Sequence, residues 1–187
     1  MTKQNVVAGA LVAAVVFGAS CSDSYPSLSS LAPAKQFFVA NLLPANEVPP
    51  VTGVSSSGIS EITFLDTNRI RIETRVSTID SVTQAHIHLG DAATAGPVRV
   101  FLLSFLAAGR APVTGTDKTL SIVELTRATP VCSATGTPTP CFTALNGVPF
   151  WTLDSVFFHI RDGTAYINVH TRKNGGGEIR GQIVPAP

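Results

Sequence analysis

Residues 84–98 read Gln-Ala-His-Ile-His-Leu-Gly-Asp-Ala-Ala-Thr-Ala-Gly-Pro-Val, and this stretch restricts the fold more than any other. Apolar and polar residues alternate through Leu89. A period of two belongs to an extended strand, whose successive side chains take opposite faces. Ala85, Ile87 and Leu89 therefore share one face, and His86 and His88 share the other. The apolar set is the one a core buries. Both imidazoles are then expected on the outer face of a strand, beside a tight loop over 90–97. A second strand is expected from Val98 to Leu106.

The same alternation recurs along the chain. Gln36 to Leu43 reads as a first strand. The following Pro44–Val51 piece breaks it, because Pro49 and Pro50 cannot donate to a ladder. Glu47 lies in that extended piece and reads either as a solvated loop carboxylate or as a brace or ligand near the site. Gly58–Leu65 and Asn68–Val76 read as a hairpin turned by Asp66-Thr67-Asn68, with Ile70, Ile72, Thr74 and Val76 inward and Arg71, Glu73 and Arg75 wet. At the C-terminal end, Ile167, Val169, Ile179 and Ile183 point inward. Tyr166, Asn168, His170, Glu178, Arg180 and Gln182 point outward, and a glycine-rich hairpin loop over 173–177 joins the two strands. Arg110–Lys118 reads as turns, and Leu120–Arg127 suits a strand or a short helix. In 150–163, Phe150, Leu153, Phe157 and Ile160 recur at helical spacing, so a short helical or irregular crossover is expected there.

With 44% hydrophobic and 13% charged residues, the chain can fill a core. The expected class is all-β: an antiparallel Greek-key sandwich or barrel. A formal net charge of +1 argues against a nucleic-acid partner, which needs a basic stripe.

The N-terminus predicts export. Lys3 precedes an apolar run over 6–20, too short to span a membrane comfortably. Gly18-Ala19-Ser20 before Cys21 resembles a bacterial lipobox, with Gly18 in the place usually held by a large aliphatic residue. Residues 1–20 are then a lipoprotein-type signal peptide and Cys21 the lipidated first residue, anchoring the chain to the membrane of a bacterial cell envelope. The alternative is a plain secretory signal that leaves Cys21 free. Residues 21–36 read as a flexible tether. In an exported chain, the closely spaced Cys132 and Cys141 favour a local disulfide over two free thiols.

Five blocks in order carry a resemblance: Asn46-Glu-Val-Pro-Pro50, Ala85-His-Ile-His-Leu-Gly90, Gly96-Pro-Val98, Tyr166-Ile-Asn-Val-His-Thr171 and Gly177-Glu-Ile-Arg-Gly-Gln182. Together they resemble the CHRD (chordin-type) domain over residues 37–184. The resemblance implies a β domain of the kind found in chordin and in bacterial exported proteins, and little about chemistry. More loosely, His86-x-His88 followed by a glycine loop and Ala95-Gly96-Pro97 is similar to the copper-ligand region of copper/zinc superoxide dismutases. That similarity implies a sandwich with outward histidines under covering loops, and not by itself a dismutase.

Three readings of the outer face stay open. His86, His88 and His170 suit a copper or zinc ion, since neutral imidazoles are donors for both. Alternatively Asn168, His170, Glu178 and Arg180, with Glu47 beside them, form a hydrogen-bonded polar network that pins strands and loop. Or these side chains are independent and solvent-facing. His159 lies outside the family blocks and is left out of the site. No Gly-x-Ser-x-Gly elbow is present, and no catalytic set can be argued from spacing. The expected function is an exported, membrane-tethered binding or interaction module for a protein or extracellular ligand. The alternative is a copper- or zinc-binding protein, superoxide dismutase-like in its chemistry.

Overall fold

The computed structural model describes residues 35–104, 112–132, 139–145 and 147–187. The expected signal peptide, Cys21 and the tether up to residue 34 lie outside the described residues, as does most of the insert between the two other cysteines.

Strands in chain order are β1 (Gln36–Leu42), β2 (Ser57–Asp66), β3 (Arg69–Ser77), β4 (Ile79–Leu89), β5 (Val98–Ser104), β6 (Val113–Gly115), β7 (Lys118–Thr126), β8 (Cys141–Phe142), β9 (Ala144–Leu145) and β10 (Val148–Pro149). A helix, α1 (Leu153–Arg161), precedes β11 (Ala165–Thr171), β12 (Ile179–Gln182) and β13 (Val184–Pro185). One sheet has the order β13-β1-β2-β3-β7. The other runs β12-β11-β4-β5-β8, with β6 also on β4, and β9 pairs with β10 alone. Every strand pairing is antiparallel. The chain crosses between sheets after β3 and returns to pair β7 with β3, so the β4–β5 hairpin lies in the opposite layer. The result is a β-sandwich.

The inward residues of both sheets meet in one core. Phe38, Leu42, Ile62, Phe64, Ile70 and Ile72 come from the first sheet, and Val82, Ala85, Ile87, Val100, Ile167 and Val169 from the second. Parity is kept even where the inward residue is polar. Ser60 and Thr74 stand opposite each other on β2 and β3 and satisfy one another at 2.9 Å.

The two ambiguous segments resolve differently. Leu120–Arg127 is strand β7, because β3 offers it a full ladder. The 150–163 segment is helical. Thr152 caps α1 with a reciprocal Ser155 contact, and Gly163 ends the turn beyond it at φ 70°. Leu153, Val156, Phe157 and Ile160 face the core, and Phe157 meets Phe64 edge-on at 4.6 Å. Phe150, expected on that buried stripe, precedes the cap and is exposed instead. The expected turn-rich 110–118 segment contains the short strand β6. Cys132 and Cys141 are joined by a disulfide.

The two outer faces differ in kind. On the first sheet, Glu73 accepts from Arg71 and Arg75 in open solvent, and such exposed pairs contribute little. On the second sheet the outer face is buried. Ile167 and Ile87 form a facing pair at its inward centre, both fully buried. Ile167→Ala should lower stability by about 2–5 kcal/mol, read from urea denaturation; a loss below about 1 kcal/mol would show that the pair is not tightly packed.

Candidate functional site

The second sheet sets its polar residues in rows. On β11, Tyr166 stands opposite His88, Asn168 opposite His86, and His170 opposite Gln84. On the far side of β11, Asn168 faces Arg180 and Tyr166 faces Gln182. On the far side of β4, His86 faces Phe101. Strand parity therefore puts all these side chains on the outer face. They are not solvent-facing, however. His86, His88, Asn168, His170, Glu178 and Arg180 are all buried. The segment after β1, the loop 90–97 and the turn after β11 lie over them.

The three histidines come together. One ring nitrogen from each can be chosen so that all lie within 4.8 Å of one another. His86 Nδ1 is 2.9 Å from His170 Nε2. His88 Nδ1 bonds the Gly96 carbonyl at 2.9 Å, and His170 Nδ1 bonds the Gly175 carbonyl at 3.0 Å. A carbonyl oxygen only accepts, so both of these Nδ1 atoms carry the proton and both Nε2 atoms present lone pairs. His170 Nε2 then accepts from the Nδ1–H of His86, which leaves His86 Nε2 as a lone pair too. The Nε2 atoms of His86 and His88 are buried without a hydrogen-bond partner. Burial holds all three imidazoles below the usual histidine range. For His86 the neighbouring rings add to this, and His88 falls to about 4.

The expected single polar network is instead three separate clasps. Asn168 donates to both oxygens of Glu47 at 2.9 and 3.0 Å, across 121 residues of sequence. Glu47 is thus a buried brace rather than a solvated loop carboxylate. Glu178 turns the other way, accepting from Thr171 and Asn174 within its own hairpin. Arg180 donates to the carbonyls of Asp91 and Thr94 and lies 3.4 Å over the Tyr166 ring. His170 joins His86 and not Asn168, Glu178 or Arg180. His159 stacks on Trp151 at 4.5 Å, outside the cluster.

Tyr166 and Gly96 acquire roles that no spacing announced. The Tyr166 ring stacks on His88 at 4.8 Å, and its hydroxyl accepts from the Gly96 amide at 2.9 Å. The same glycine carbonyl fixes the His88 tautomer. Any side chain at Gly96 would collide with the Leu89 carbonyl, so only glycine lets the loop lie this close. A tyrosine four residues from a histidine on an alternating strand was visible in the sequence, but its partner was not.

Comparison with known proteins gives one match. The model of the CHRD domain family matches residues 38–183. No curated protein and no solved structure matches the chain.

Glu47 provides a test of the brace. Burial pushes its carboxyl from 4.5 up to about 7, against the opposing pull of Arg180 and the Asn168 amide. The folded state then holds a proton that the unfolded state has released. Stability from this group is present below its ordinary value and lost as pH rises toward 7. Glu47→Gln removes the titration. Between about pH 5 and pH 8 the wild type should lose up to about 3 kcal/mol relative to this variant. The comparison cancels the histidines, whose effect runs the other way and is lost as pH falls below 6.5 toward 4. Parallel pH profiles of the two melting midpoints would refute the buried carboxyl.

Proposed function

The chain belongs to the CHRD domain family, and on that footing we propose that it is an exported, membrane-tethered domain that holds a copper or zinc ion on His86, His88 and His170. One observation carries the metal reading: three buried imidazoles converge, backbone carbonyls orient two of them, and the Nε2 lone pairs of His86 and His88 are buried without a partner. A metal ligand is commonly oriented in this way, through the hydrogen bond of its other ring nitrogen. An ion at about 2.0–2.1 Å from each nitrogen needs nitrogen–nitrogen spacings of about 3.3–3.6 Å, so the widest gap must close by about an ångström. His170 Nε2, which accepts from His86 Nδ1 at 2.9 Å, exchanges that hydrogen bond for the ion. A bound ion also gives the orphaned lone pairs a partner, which removes a desolvation penalty of about 1–3 kcal/mol each.

Support for export and tethering is the N-terminal pattern: Lys3, the apolar run, and Gly18-Ala19-Ser20 ahead of Cys21. The disulfide agrees with an oxidising compartment.

A second reading has its own support. Arg180, Tyr166, Gln182 and Glu47 all fasten covering segments to the sheet. On this reading the outer face is a clasp, and the domain recognises a protein or extracellular ligand elsewhere on its surface.

Titration of metal-free protein with Cu²⁺ or Zn²⁺ should show one site tighter than about micromolar, roughly 8 kcal/mol. His86→Ala and His170→Ala should each abolish it. Absence of binding in that range leaves the clasp reading. The tether is tested separately: Cys21→Ser, expressed with its leader, should move the protein from the membrane to the soluble fraction.

A further inference from the structure

We infer that the His86–His88–His170 centre selects copper as the cuprous ion, Cu(I), over Cu(II) and Zn(II). This rests on the metal reading above and adds the charge and coordination number of the ion.

The donor set is neutral and small. Among the described residues, these three histidines are the one group of acids, thiols or imidazoles placed to share an ion. The carboxylates of the same face are committed elsewhere, Glu47 to Asn168 and Glu178 to Thr171 and Asn174. The internal segments 105–111, 133–138 and residue 146 contain no acidic, sulfur-bearing or imidazole side chain. Among the described residues, no acidic side chain is placed to join the three imidazoles as a ligand and offset a divalent charge.

A cation stands beside the stacked rings. Arg180 lies over one ring of a stack whose next member is His88. Its guanidinium disfavours positive charge there, and a double charge more than a single one.

The walls are aromatic. Phe101 meets His86 edge-on at 4.3 Å, and Tyr166 covers His88 with its hydroxyl held by Gly96. Neither ring offers a fourth donor. Zinc held by three residues completes its tetrahedron with a water, which this enclosed face would have to admit. Cu(I) is a closed-shell ion that two or three nitrogen donors satisfy, and imidazole is an accepted donor for copper.

Burial decides between the charges. The cost of moving an ion out of water rises with the square of its charge, so a divalent ion costs about four times as much as a monovalent one of similar size. In a solvated site this difference is muted. Here His86, His88 and His170 are 2%, 7% and 7% exposed, and no acid among the described residues shares the ion with them.

The test uses full-length protein purified in detergent. Cu(I) is titrated anaerobically in competition with bathocuproine disulfonate, and Cu²⁺ and Zn²⁺ are titrated in parallel against chelators of known affinity. Cu(I) should bind at least about 100-fold more tightly than either divalent ion. X-ray absorption should show two or three nitrogen neighbours and no sulfur. Phe101→Asp places a carboxylate beside His86 and should narrow the Cu(I)-over-Cu(II) preference by about tenfold or more. Cu²⁺ or Zn²⁺ binding as tightly as Cu(I), with binding lost in His86→Ala, overturns the selectivity while leaving a metal centre. If none of the three ions binds, the metal reading itself falls, and this inference with it.

Discussion

A polar side chain on the outside of a sheet ordinarily hydrates. Here one outer face is roofed by chain, and its polar groups must find partners within the protein. His86, Asn168, His170 and Arg180 are all buried, yet each stands on the side of the sheet away from the core. The second sheet thus has two buried faces of opposite character. One is apolar and packs against the first sheet. The other is polar and is tied to its covering segments by hydrogen bonds.

That constraint explains how the covering segments are held. The loop 90–97 offers few apolar side chains for packing. It is fastened through its backbone instead: Arg180 takes the carbonyls of Asp91 and Thr94, Gln182 that of Gly90, and Tyr166 the amide of Gly96. The segment after β1 is held by Glu47 on Asn168, and by Leu43, which pairs through its backbone with Arg180. Gly177 is part of the same arrangement, because a side chain there would occupy the space of the Glu47–Asn168 pair. Charged donors make stronger hydrogen bonds than neutral ones, which suits arginine to a clasp on bare carbonyls.

Within this surface the histidine cluster stands out as the place where unpartnered atoms gather on adjacent imidazoles. Asn168 and Gln182 each leave one amide oxygen without a partner but are held through their NH2 groups, whereas His86 and His88 each end in a buried ring nitrogen with a free lone pair. Two stranded acceptors side by side are costly for stability alone and natural for a site that awaits a Lewis acid. The metal proposal grows from that mismatch more than from the presence of three histidines. The same enclosure that leaves the lone pairs unsatisfied also sets the dielectric and charge that an incoming ion would meet.

Much of this was determined by local pattern. Period-two alternation decided which residues of β3, β4, β11 and β12 face the core, the Asp66–Asn68 turn joined β2 to β3, and strand parity put His86, His88 and His170 on one side. These are properties of neighbours in sequence, and a strand carries them wherever it is placed. What the tertiary structure alone decided is whether that side is wet. Glu47 reaches Asn168 across 121 residues and His86 reaches His170 across 84. Contacts so distant chose the brace over the solvated carboxylate for Glu47, divided the polar groups among separate clasps, and fixed each imidazole tautomer. The physical reason is that parity chooses a face, while burial and hydrogen-bond partners depend on which remote loop comes to lie over it.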